Sequence, residues 1–391
     1  MTSEDNIFSF GDSSDPMQQA REALRAVQQY QRDWQEEGVN RVYKYFDDVE
    51  GDWLEEFEPI SVNASAEHGS RVTVSAICER LRSLGLSTSF IKNVAFPSWW
   101  KSELEPDEGI IFQLLDSLSR RLFLTVDTSE NSDLSLAFLP IPAPKFKLRK
   151  NQEDPKLFSY LARSVANAVS STVDRPYSPI PCDALIIRKS ILQNHSCVSL
   201  DSLLNFCWQA GLPVVHFDKK PDGRVKVDGL VVITNNRPII IIGSSWKYSA
   251  WLLFILAHEL GHIAQGHLQD GILVDESFQH GVNDDEEEDA NQFAAQLLFG
   301  DVPLQWAANL NKQRLLVKAR RLSEEHNLDP GALILNYGWQ TKNWGCAVAA
   351  LSLLEPNANA PAQINAYYQR HLVSIDEDSR DYLQQVNVLA A

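Results

Sequence analysis

Little in this chain points to an oxidised or membrane-embedded protein. Its 391 residues include 5 Cys, at positions 78, 182, 197, 207 and 346, and no two of them form a CxxC pair. An odd, scattered set supports neither a disulfide framework nor a cysteine-built zinc knot, so reduced thiols in a cytoplasmic protein are expected. Long apolar runs are also missing. Runs such as Trp251–Ala257 and Pro238–Ile242 fall far short of the about 20 residues that cross a bilayer. The start, Met1-Thr-Ser-Glu-Asp-Asn6, is acidic and polar, and no secretory leader is expected from it. Positive charge is scarce: 35 Lys and Arg face 52 Asp and Glu, for a net charge of −17, and residues 1–60 alone hold 15 acidic against 5 basic residues. Phosphate contact needs a positive surface, so nucleic acid is not expected as a direct ligand. Such a surface suits a basic protein partner, or solubility alone.

Histidine is sparse too, with 9 in the chain, yet three fall within residues 258–267, in His258-Glu-Leu-Gly-His262-Ile-Ala-Gln-Gly-His267. The apolar run Trp251–Ala257 leads into this segment and predicts a helix. Residues four apart on a helix share a face one turn apart, so His258 and His262 can offer two imidazoles to one ion. Glu259 sits beside them, placed to take a proton from a water on the metal as it attacks a carbonyl. Gly261 keeps the space beside the histidines narrow. HExxH on a helix is a signature of zinc peptidases for these reasons.

A catalytic zinc site uses three protein ligands and leaves one position open, whereas a structural one uses four. The acidic run Asp284–Asp289 opens a second helical segment through Leu298, and acidic residues suit a first helical turn. Most of those carboxylates read as a solvated helix start. The stripe Ala290, Ala294, Leu297 selects Glu287 as the one that faces inward, because it precedes Ala290 by three and Ala294 by seven. Glu286 or Glu288 would need the helix rotated by about 100°. Asn291, one turn beyond Glu287, is expected to hydrogen-bond a ligating side chain from behind. His-His-Glu favours Zn, although Mn or Fe can occupy such a set.

These two segments, FILAHELGHIAQGHL and then EEDANQFAAQLL, resemble the ImmA/IrrE metallopeptidases, whose pattern is an HELGH helix followed by E-x-x-A-N-x-F-A-x-x-L-L. The upstream LDSLLNFCWQAGLPVVHF and VDGLVVITNNRPIIII fit as well, so the resemblance covers roughly residues 156–300. It implies that His258, His262 and Glu287 are metal ligands and Glu259 the general base. It also implies cleavage of a partner protein, typically an XRE-family helix-turn-helix repressor, in a stress or mobile-element response. One departure is noted: family members often continue LLMP, where this chain has Leu297-Leu-Phe-Gly300.

The expected architecture is α+β and mostly helical. A zincin-like catalytic domain carries a small antiparallel sheet packed on the HExxH helix, preceded by a helical N-terminal region. Residues 1–14 read as a disordered tail and 15–138 as the helical region. Ala20, Leu24, Val27, Tyr30 and Trp34 mark a long amphipathic helix there, whose stripe packs on the body of the chain or on a second copy in a homodimer. Residues 70–125 read as short helices and, on the family resemblance, as a degenerate helix-turn-helix module. The proline-rich 139–155 reads as a linker. Residues 156–300 form the metallopeptidase domain, with strands at 212–217, 229–234 and 238–242. Residues 301–391 form a helical extension containing a helix-turn-helix shape. His280, between the two ligand helices, is a candidate oxyanion stabiliser. His267 is expected to point away from the pair, at the surface or behind the ligands, and His195 and His216 to lie in core or surface positions. The function expected is that of a zinc endopeptidase acting on a regulatory protein. Its alternative is a non-proteolytic, metal-stabilised regulator or toxin–antitoxin component that acts by binding.

Overall fold

The structure is a computed structural model that describes residues 72–101, 108–128, 134–139, 156–217, 227–267, 272–275 and 285–390. The tail at 1–14, the amphipathic helix with its dimer surface, all of the 139–155 linker but Leu139, and His280 lie outside these residues.

The fold is α+β and mostly helical. It begins with α1 (Val74–Ser83) and α2 (Thr88–Phe90), the latter running on as a π-helical turn over Ile91–Ala95. Helix α3 (Glu108–Leu122) then leads into an antiparallel pair, β1 (Leu124–Asp127) and β2 (Ser135–Phe138). That pair is a correction to an all-helical reading of the region. Each strand has four residues, too few for the two-residue period to stand out from the helical pattern beside it.

After α4 (Lys156–Ser170), α5 (Ala184–Leu192) and α6 (Leu200–Gln209) come β3 (Val214–His216), β4 (Gly229–Thr234) and β5 (Arg237–Ile242). Helix α7 (Ser249–Ala264), β6 (Ile272–Asp275) and α8 (Asp285–Phe299) follow. The last helices are α9 (Lys312–His326), α10 (Pro330–Thr341), α11 (Trp344–Leu354), α12 (Ala360–His371) and α13 (Glu377–Gln385).

The larger sheet has the order β3-β5-β4-β6. Strands β4 and β5 form a hairpin around Asn235-Asn236, both at positive φ (52° and 55°), which gives the turn the twist that antiparallel strands need. β6 adds antiparallel to β4. The expectation of a wholly antiparallel sheet fails at β3, which pairs parallel with β5. β5 inserts between β3 and β4, and two successive chain reversals restore the original direction.

Leu230, Val231, Val232 and Ile239–Ile242 are fully buried, so both faces of the central strands are covered, and α4 and α7 both pack on β4 and β5. Continuous apolar runs in place of alternation are the sequence mark of such strands. Helix α7 is buried nearly all round: Leu252, Leu253, Ile255, Leu256, Ala257 and Leu260 are all at or near zero exposure. A helix apolar on every face belongs in the middle of a core. Its N-terminal half is gripped by the chain beyond residue 300. Trp251 stacks between Trp246 (4.9 Å) and Trp344 (5.6 Å), and Gly331 lies so close to Ala250 that a Cβ there would fall 2.8 Å from the alanine methyl. No helix among the described residues is long and apolar enough to cross a membrane.

Candidate metal centre

Among the described residues, helices α7 and α8 make the most extensive helix–helix contact. Gly261 makes their approach possible, because a Cβ there would lie 3.1 Å from both Cα and O of Ala290. The close crossing sets the first turn of α8 against the last two turns of α7. Ala290, Ala294 and Leu297 pack inward at zero exposure, and this fixes the rotation that turns Glu287 toward the histidines. Arg188 anchors the far end of α8. Its buried guanidinium donates to the carbonyls of Leu297 (3.2 Å) and Leu298 (3.0 Å), where a cation also meets the negative end of the helix.

The cluster that results is compact. His258 Nε2 and His262 Nε2 are 2.9 Å apart, Glu287 Oε2 lies 3.4 Å from the first, and Glu287 Oε1 lies 3.5 Å from the second. Both imidazoles are sealed from solvent, while the Glu287 side chain retains 26% exposure. Glu286 is half-buried and Glu288 exposed, neither belonging to the group.

The donors suit a small divalent ion. With metal–nitrogen distances of about 2.0–2.1 Å and tetrahedral angles, two ligating atoms sit about 3.3 Å apart. The three observed separations straddle that value. Two ring nitrogens 2.9 Å apart need either a hydrogen-bonding proton or a metal ion between them, because two facing lone pairs would repel. Among the described residues three donors converge, one fewer than a tetrahedral ion takes.

Behind the cluster, His258 Nδ1 meets Asn291 Oδ1 at 3.2 Å, with Asn291 itself on the exposed side of α8. His262 Nδ1 meets His267 Nδ1 at 2.9 Å. This corrects the expectation that His267 points away from the pair. Continued helical geometry would carry it off, but α7 stops at Ala264 and the chain turns back at Gly266 (φ 70°). Glu259, which follows His258 in α7, is fully buried with its side chain against the start of β4. Gly229 occupies that point, where the Cβ of any other residue would overlap the Glu259 carboxylate. Sequence reasoning missed Gly229, whose only local signal was a glycine opening an otherwise apolar strand.

His216 takes no part: it is buried in β3 with Nε2 at 2.8 Å from the Ser244 carbonyl. His195 is half-exposed just beyond α5. Trp99 and Trp100 stack edge to face at 6.4 Å, well along the chain from this centre.

A two-histidine, one-glutamate cluster on crossed helices, with a buried glutamate next to His258 in the helix, suits a metal-dependent hydrolase. Residues 213–333 match the family model described as the IrrE N-terminal-like domain, Peptidase M78. The chain carries an ImmA/IrrE-family metallopeptidase domain. The match runs from β3 to the first turn of α10, so it includes the sheet, the two helices that carry the His-His-Glu group and the start of the helices that grip α7. No curated protein matches the chain. The match to the Peptidase M78 model supports a peptidase and implies a metal, and His258, His262 and Glu287 are the described residues grouped so that they could hold one.

Proposed function

We propose that the chain is a zinc-dependent endopeptidase of the cytoplasm, zincin-like in its catalytic domain. It cuts a partner regulatory protein of the helix-turn-helix repressor class in a stress or mobile-element response. The observation that carries the hydrolytic part is the His258–His262–Glu287 group together with a fully buried glutamate, Glu259, at the next position of the same helix. Support for the substrate class comes from the family resemblance. In this reading His258, His262 and Glu287 hold zinc, with Asn291 orienting His258 from behind.

Zinc, when bound, supplies Lewis acidity and makes water a competent nucleophile near neutral pH. Glu259 takes the proton of the attacking water and returns it to the amine that leaves, work that contributes about 10²–10⁴-fold in rate. Burial between α7 and β4 keeps its carboxylate aimed, and the walls around both imidazoles exclude competing water.

The test is co-expression with neighbouring repressor-like proteins, followed by mass spectrometry of the partner. One discrete cut is expected from the parent. Glu259→Gln, which removes the base and no ligand, should keep the metal and abolish the cut. A partner that binds but stays intact, with the same cellular effect from parent and variant, would replace the protease with a regulator or toxin–antitoxin component acting by binding alone.

A further inference from the structure

We propose that His267 is a positioning residue that holds His262 in its metal-binding tautomer and orientation; this rests on the metal-dependent reading above. The backbone dictates the contact. At the end of α7 the N–H of Gly266 donates to the Ile263 carbonyl (3.3 Å), and the N–H of His267 donates to the His262 carbonyl (3.0 Å). Those are the two bonds of a Schellman turn, made possible by the left-handed glycine at φ 70°. Such a turn brings the residue after the glycine back over the third residue from the helix end, and here those two residues are His267 and His262. Their rings meet edge to face, with centroids 5.2 Å apart.

Proton accounting makes the contact selective. Two ring nitrogens 2.9 Å apart share one proton. With that proton on His262 Nδ1, His262 Nε2 keeps its lone pair toward His258 and Glu287, and His267 accepts at Nδ1 while carrying its own proton on Nε2. With the proton on His267 Nδ1 instead, neutral His262 must be protonated at Nε2 and cannot ligate. His267 therefore has to present an acceptor to His262. With His262 fully buried and His267 only 8% exposed, water has little room to take its place. The partner of His258, by contrast, is an exposed asparagine.

The experiment is a Zn²⁺ titration of the metal-stripped full-length chain against a chromophoric chelator, with thermal melts of the same metal-free proteins. It compares the parent, His267→Leu and His267→Asn. Leucine fills the space without an acceptor, whereas the asparagine amide oxygen takes the place of Nδ1. Loss of an outer hydrogen-bond partner to a metal-binding histidine typically weakens affinity about 10–100-fold. That loss is expected for His267→Leu with an unchanged metal-free melt, and His267→Asn should restore affinity to within a few-fold of the parent. His267→Phe replaces the leucine variant in the same comparison if the latter does not fold. Parental affinity in the variant without an acceptor, or equal losses in both variants, overturns the assignment. A parent that binds no Zn²⁺ overturns the metal-dependent reading itself, a result distinguishable because no variant is needed to see it.

Discussion

Gly229→Ala perturbs the contact between β4 and the Glu259 carboxylate, and its cost can be worked from the geometry. A Cβ at Gly229 would sit 2.9 Å from both Cδ and Cγ of Glu259 and nearer still to Oε1, whereas non-bonded carbon atoms prefer about 3.5–4.0 Å. Glu259 would have to retreat by roughly 1 Å inside a packed interior, and overpacking of this kind costs about 1–3 kcal/mol. The backbone at Gly229 lies outside the left-handed region, so alanine itself is compatible there. With Glu259 already truncated, the same change should be neutral or stabilising by up to about 1 kcal/mol, through lower entropy of the unfolded chain. The assay is urea denaturation of the metal-free parent, Gly229→Ala, Glu259→Ala and the double variant. A coupling of about 1–4 kcal/mol is expected, above the about 0.5 kcal/mol by which independent sites depart from additivity. Coupling below that level would refute the claim that this glycine exists to accommodate Glu259. In a cleavage assay the single variant should also lose about 100-fold in rate, the scale of a 1 Å misplacement of a reacting group, while keeping its metal.

Metal content should fall sharply in Glu287→Ala and stay near parental in Glu286→Ala and Glu288→Ala; equal losses across the three would mean that no single carboxylate of that turn is special. Glu355 on the far side of the fold caps α7, its Oε2 accepting from the Ser249 N–H at 3.0 Å, while Tyr248 at the cap position offers no side-chain bond. Glu355→Ala should therefore cost about 1 kcal/mol in denaturant unfolding, and no measurable loss would remove it as a cap. Asp329, which caps α10 by accepting from the Ala332 N–H at 2.8 Å, has its carboxyl pushed up to about 6, chiefly by burial and further by the nearby Glu355. A raised folded value means that its contribution to stability is fully present below about pH 4 and is lost as pH rises through about 6. Relative to Asp329→Asn, the parent should lose about 2 kcal/mol between pH 4 and pH 7; parallel stability profiles would contradict this.

What could be read from the chain alone was whatever depends on one helix at a time. The spacing of His258 and His262 puts them on one face of α7 because a helix repeats every 3.6 residues. The stripe Ala290, Ala294, Leu297 sets the rotation of α8, and so distinguishes Glu287 from five neighbouring carboxylates. Asn291 follows from the same rotation. The hairpin at Asn235-Asn236 was legible because the residues that tolerate positive φ are few. His267 was half legible: the glycine before it marks a helix end, but the bend that carries the ring back over His262 appears only when the turn's two hydrogen bonds are counted.

Contacts between elements far apart in sequence were decided only in three dimensions. The insertion of β5 between β3 and β4 depends on which edge the hairpin joins, and no local propensity encodes that choice. Gly229 faces Glu259 across 30 positions of chain, and Glu355 reaches Ser249 across 106. Local sequence sets backbone conformation and the face on which a side chain lies. Which face meets which is set by burying all the apolar surfaces at once, and the surroundings of Glu259 are a consequence of that packing.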